Sequence, residues 1–181
     1  ALARAPGSKL SYASSGNGAS SHLAGVLFNQ RAGTDIQHVP YKGTGPALND
    51  LLGGQVTMTF TDVLTAQPHV QAGKLRALGV TTLQRSKALP AVPTLAEQGM
   101  ADFDVSVFFG IVAPAATPAP VITRLNAAFV QVLADAEVRG KLAAQGLELP
   151  SDTSPGQLST YMRKESERWR DVVKASGAAL D

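Results

Sequence analysis

The sequence predicts an α/β fold: a mostly parallel sheet with helices packed on it, followed by a helical C-terminal segment. Three observations carry this. Strand-like runs with period-two or continuous apolar character alternate with stretches of helical spacing from Lys9 to Val112. The first helical stretches end on glycines, at Gly33, Gly53-Gly54 and Gly73. Beyond a proline-rich segment at 113–120 only helical spacing remains, and strand–helix alternation of the earlier kind builds parallel sheets.

Taken in order, Ala1-Leu-Ala-Arg-Ala-Pro-Gly-Ser reads as the tail of a helix and a Pro-Gly turn, as though the chain opens inside an element. A strand-like run at 9–13 breaks into Ser14-Ser15-Gly16-Asn17-Gly18. Leu23, Val26 and Leu27 then share one face, which predicts a helix over about 20–31 closed by Gly33. Residues 35–39 alternate as a strand stopped by Pro40. Tyr41-Lys42-Gly43-Thr44-Gly45-Pro46 leads into a helix with Pro46 in its first turn and Ala47, Leu51 and Leu52 on its buried side. Val56, Met58 and Phe60 face one way in a strand over 55–61, Asp62 follows, and a short helix covers about 64–71. The apolar run 75–80 reads as a strand covered on both sides. Thr94-x-x-Glu97 is a capping-box pattern opening a short helix, and 103–112 is the longest strand expected. Past Pro120, Ile122, Leu125, Phe129 and Val132 keep helical spacing, and Asp135 caps a second helical segment that ends at Gly146. Ser154-Pro155-x-Gln157 opens a last helix whose apolar face holds Tyr161, Met162, Trp169, Val172 and Val173. Its surface offers Arg163–Glu167 and Asp171–Lys174 as pairs.

Composition excludes several functions. With 181 residues, 44% of them hydrophobic, the chain can bury an ordinary core. A net charge of +2 and 6% aromatics leave no basic stripe for nucleic acid. The absence of cysteine removes thiol chemistry, disulfides and cysteine-bound metals. No apolar run matches a membrane span, and the first residues lack the charged and apolar regions of a signal peptide. The protein is therefore expected to be cytoplasmic, or its leader lies outside this sequence. His22, His38 and His69 lack metal-ligand spacing. They read as polar core or surface residues, with His22 orienting the serine loop through a ring N–H.

The chemistry points to an anion. Free amides at a helix start, around Gly18 to Ser21, the positive end of its dipole and the hydroxyls of Ser14, Ser15, Ser20 and Ser21 converge at one point. The alternative is a plain cap by Ser20 or Ser21. Gly16-Asn-Gly18 lacks the third glycine of a dinucleotide fingerprint, and no Gly-Lys-Ser/Thr follows, so neither nucleotide motif is present. A carboxylate fits as well as a phosphate. Ligands of open α/β sheets collect at the carboxyl ends of strands, which adds Tyr41, Lys42 and Gly43 and the Thr61-Asp62 pair. For these the alternatives are a glycine turn and a cap on the following helix. No Gly-x-Ser-x-Gly elbow occurs, and no cofactor is called for.

Leu10-Ser-Tyr-Ala-Ser-Ser-Gly-Asn-Gly-Ala-Ser-Ser-His-Leu23, His38-Val-Pro-Tyr-Lys-Gly43, Pro46-Ala-x-x-Asp-Leu-Leu-Gly-Gly-Gln-Val56, Gly73-Lys-Leu-Arg-Ala-Leu-Gly-Val80, Leu89-Pro-Ala-Val-Pro-Thr-Leu-Ala-Glu97, Phe109-Gly-Ile-Val-Ala-Pro-Ala115 and Arg124-Leu-Asn126 resemble the Bug-type solute receptors of tripartite tricarboxylate transporters. The resemblance spans nearly the whole chain. It implies a periplasmic, non-catalytic protein with a three-layer α/β/α lobe of the type II periplasmic-binding-protein kind, partnered by a small carboxylate and by membrane transporter subunits. It further implies that 1–104 form the second ligand-binding lobe. Residues 105–181 would then be a returning strand and C-terminal helices that complete a first lobe, which is largely absent here together with its Pro-Gly-Gly loop. Carried over by position, ligand contacts fall on Ser14, Asn17, Gly18, Ala19, Ser20, Ser21, Tyr41, Lys42, Gly43 and Asp62, with Phe109 or Phe108 as an apolar wall. Gly25 stands where relatives often have a larger polar residue. One lobe leaves its ligand in water, where hydrogen bonds yield little net energy. Weak or absent binding by this chain alone is the expectation, with its apolar surface covered by a second copy or an N-terminal fragment. A small α/β enzyme using Asp62 or His22 as base, and a sensory receptor, are the competing functions.

Overall fold

The computed structural model describes residues 2–5 and 7–178. Ala1 and Pro6 of the opening turn lie outside them, and Leu2–Arg4 is a short 3-10 helix. The centre of the fold is β1 (Ser11–Ser14), flanked by β2 (Gln37–Pro40) and β3 (Met58–Thr59), all parallel in the order β2-β1-β3. In register, Tyr12 stands beside His38 on one side and Met58 on the other.

Successive residues of β1 face opposite ways, so two cores form. Ala13 packs with Ala47 of α2 (Thr44–Leu52) and Val56, joined by Val39, Tyr41 and Leu51. On the other face Ala24 of α1 (Ser20–Ala32) packs with Phe103 and Val105, joined by Phe28, Phe60 and Trp169. Helices on both faces of a parallel sheet make the α/β/α layering. α1 stops at Gly33, whose φ of 59° is the left-handed turn that glycine supplies. α2 buries Ala47 and Leu48, while Leu51 is half-buried and Leu52 exposed, a stripe turned away from the one expected. α3 (Val63–Gln71) follows β3.

Several expected elements are shorter or absent. The strand over 55–61 reduces to Met58–Thr59. Residues 75–80 pair only through a bridge between Val80 and Thr94. Their backbone is served instead by the turn at 93–98: Gln98 donates its side-chain amide to the Leu78 carbonyl at 3.0 Å, and the Leu95 amide donates to Val80. The Thr94–Glu97 capping box closes, with amide-to-side-chain distances of 2.7 and 2.9 Å, yet only turns follow it. Gly99, at φ 97°, diverts the chain after one turn. The long strand expected at 103–112 is not formed. Val105 bonds Thr81 in both directions at 2.8 and 2.7 Å, but beyond it no ladder exists among the described residues, and Val107, Phe109, Ile111 and Val112 are exposed.

The C-terminal helices are α4 (Ala119–Ala134), α5 (Ala136–Ala144) and α6 (Pro155–Ser176), and none contains a buried residue. Asp135 caps α5 through the Glu137 and Val138 amides, and Ser154 caps α6 through Gln157, both as the sequence indicates. α6 lies along α1, with Trp169 reaching the core. The Arg163–Glu167 and Asp171–Lys174 pairs do not form; Arg168 pairs instead with Glu165 and Asp104. No described helix is long and apolar enough to cross a membrane.

Candidate functional site

Because all three strands run the same way, the loops at 15–19, 41–43 and 60–62 share one edge of the sheet. The chain leaves β1 toward β2 while β3 lies on the other side of β1. Loops that diverge in this way open a crevice at the carboxyl ends of the strands. Two of the loops are tied together: the Tyr41 amide donates to the Ser14 carbonyl and the Gly43 amide to the Ser15 carbonyl, each at 3.0 Å.

Within the serine loop most polar groups bind one another. Ser14 is fully buried; its hydroxyl accepts the Gly16 N–H at 3.2 Å and lies 2.6 Å from Nε2 of His38. The Ser21 hydroxyl accepts the Ser15 N–H at 3.0 Å. Gly18 donates its N–H to Nδ1 of His22 at 3.1 Å, and Ala19 donates to the Gly16 carbonyl at 3.3 Å. Neither Ser20 nor Ser21 caps α1: the N-cap is Ala19, with no side-chain bond and no acidic residue in the first turn. The amides of Ser20, Ser21 and His22 therefore have no protein partner among the described residues. Free donors thus occupy 20–22, where the sequence pointed to 18–21. Asn17, Ser20 and Lys42 are exposed beside them.

The remaining site residues serve the scaffold. The Tyr41 hydroxyl donates to the Asp50 carboxylate at 2.8 Å, which pushes its pKa up. Asp62 caps α3, accepting the Thr65 amide at 2.8 Å and the Thr65 hydroxyl at 2.7 Å. Phe108 lies edge-on to Tyr161 of α6, and Phe109 is 72% exposed.

Two histidines meet behind the loop. The rings of His22 and His38 stack 3.9 Å apart at 8°, and Tyr12 stacks on His38 at 5.0 Å. The Tyr12 hydroxyl donates to the His22 carbonyl at 3.3 Å. Burial lowers the pKa of His22, and burial followed by the neighbouring His22 charge brings His38 down to about 4. Burial pushes Tyr12 up to about 12. His22 does touch the serine loop, but its ring accepts the bond where a donor was expected. No group of three metal-ligating side chains occurs among the described residues.

A family model described as the tripartite tricarboxylate transporter family receptor matches residues 1–178. The chain belongs to this family. It is 37% identical to protein BugT of Bordetella pertussis over 172 residues, which are 95% of this chain and 52% of BugT. Among solved structures it is similar to R. palustris Rpa4515 with adipate, at TM-score 0.87 and 35% identity, covering 94% of this chain and 57% of that one. It is also similar to MatC from Rhodopseudomonas palustris with bound malate, at TM-score 0.84 and 35% identity, covering 91% and 56%. The chain spans about half the length of the curated relatives it matches first.

Within this receptor fold the histidine pair is what residue patterns missed. Tyr12 and His38 meet only through the β1–β2 register, and His22 joins them because α1 crosses over that face. The signal was a histidine in the first turn of the helix that connects two strands.

Proposed function

We propose that this chain forms a lobe, residues 1–104, of a periplasmic receptor that captures a small carboxylate for a tripartite tricarboxylate transporter and does not transform it. The observation that carries this is the row of amides at Ser20, Ser21 and His22 that have no partner among the described residues, set at the positive end of α1. The adipate and malate present in two similar structures supply the ligand class. In this reading Asn17, Ser20, Ser21 and Lys42 touch the carboxylate, while the Gly43 amide, given to the Ser15 carbonyl, holds the neighbouring loop in place. Ser14, Gly18, Ala19 and Tyr41 shape the loop, Asp62 sets the far wall, and Phe109 adds an apolar lid. In this reading the two bases of the catalytic alternative have structural roles: Asp62 Oδ1 caps α3 and His22 Nδ1 accepts the Gly18 amide.

A single lobe leaves the ligand half in water, so affinity is weak. The apolar residues exposed at 107–132 are the face that a second copy, or the rest of a two-lobed receptor, covers. Titration with adipate and malate tests the reading. Ser20→Pro removes one free amide at a helix position that tolerates proline and is expected to weaken binding about fivefold or more. Unchanged binding in that variant, or turnover of either acid, contradicts the reading.

A further inference from the structure

The carboxylate reading uses no histidine side chain, yet two of the chain's three histidines are packed against each other directly behind the loop. We propose that His22 is a positioning residue for the carboxylate-binding loop: its neutral ring fastens the Gly18 amide while stacked on His38, and protonation of His22 releases the loop and weakens ligand binding. This rests on the carboxylate reading above.

The hydrogen-bond chemistry assigns the tautomer. An amide N–H only donates, so Nδ1 of His22, 3.1 Å from the Gly18 nitrogen, presents its lone pair and the ring proton sits on Nε2. A proton added to Nδ1 sets donor against donor and breaks the contact. Gly18 holds a left-handed φ of 73° two residues before the first free amide at Ser20, so the bond fixes where the row of donors begins. His38 meets the other end of the loop, its Nε2 2.6 Å from the Ser14 hydroxyl, but a hydroxyl can accept as well as donate, so the acid-sensitive contact is the His22–Gly18 bond.

The surroundings keep the pair neutral. Two parallel rings at 3.9 Å cannot both be cations at low cost. From β1 the pair faces Tyr12, whose buried phenol stays protonated. Lys9 and Asp35, of opposite charge, line the cleft of about 720 Å³ that opens beside the rings, and α6 contributes only the uncharged Ala175 and Ser176. Burial lowers both histidines. The loop is therefore fastened at neutral pH and responds to acid.

Nitrogen-15 NMR of the full chain tests this in wild type, His22→Ala and His22→Asn. In ligand-free wild type near neutral pH, His22 shows the Nε2–H tautomer, and the Gly18 amide exchanges about tenfold more slowly than in His22→Ala. Asparagine places an amide oxygen near the former Nδ1. It restores the protection and retains it in acid, where wild type loses it as His22 takes up a proton. With adipate as probe at neutral pH, the Kd rises about fivefold in His22→Ala and returns toward wild type in His22→Asn. If His22→Ala fails to fold, the tautomer and the acid response of wild type decide. An Nδ1–H tautomer, or Gly18 exchange indifferent to substitution and pH, overturns the positioning role and leaves the carboxylate reading standing. Absence of adipate and malate binding by wild type overturns that reading, and this inference with it.

Discussion

Gly25 of α1 lies against Tyr12 so closely that a Cβ there would run into the ring. Gly25→Ala, which on helix propensity alone should stabilise, is expected to cost about 1–3 kcal/mol as the ring is forced aside. Urea unfolding at unchanged slope measures it. The histidine pair gives a second consequence at this scale. Its folded pKa values lie below the unfolded value of about 6.5, so the unfolded chain binds more protons in the interval down to about 4. The contribution to stability is full above that interval and is lost as pH falls through it. His38→Gln flattens this part of the profile, which urea midpoints across the acid range would show. The serine loop and the cap at Asp62 were legible in the sequence because both are local, set by residues within a few positions of each other. The Tyr12–His38–His22 stack was not, because only strand register brings positions 12 and 38 together.

Helix termini carry the site at the scale of elements. α1 begins without a side-chain cap, whereas α3 begins with the Asp62 carboxylate on the Thr65 amide. The two helices leave the same edge of the sheet, one with no side chain on its first amides and the other with Asp62 on the Thr65 amide. Asp62→Ala is expected to cost about 1 kcal/mol through loss of the cap. Thermal or urea unfolding checks this, and an unchanged midpoint would remove Asp62 from its scaffold role. Helices were read well because caps and glycine terminators are written locally: Gly33, Asp135 and Ser154 stand where the pattern placed them. The strands at 75–80 and 103–112 were over-read. Their apolar runs suit a sheet, but a strand also needs a neighbour, and here Val80 meets only Thr94 while Val105 meets only Thr81.

At the scale of the whole molecule, the fully buried residues all fall between Tyr12 and Val105, while α4, α5 and α6 bury none. Phe109, Ile111, Val112, Leu125, Phe129 and Val132 stand exposed along the later part. The buried core thus lies in the α/β part, and the apolar residues beyond it are exposed. The family was readable from several ordered motifs together. The most direct test is the map of backbone amide shifts on adding millimolar adipate to the ¹⁵N-labelled chain. Saturable shifts centred on Ser20, Ser21, His22 and Gly43 are the predicted result. Shifts confined to the cleft beside Lys9 and Asp35, or none at any site, would contradict the account.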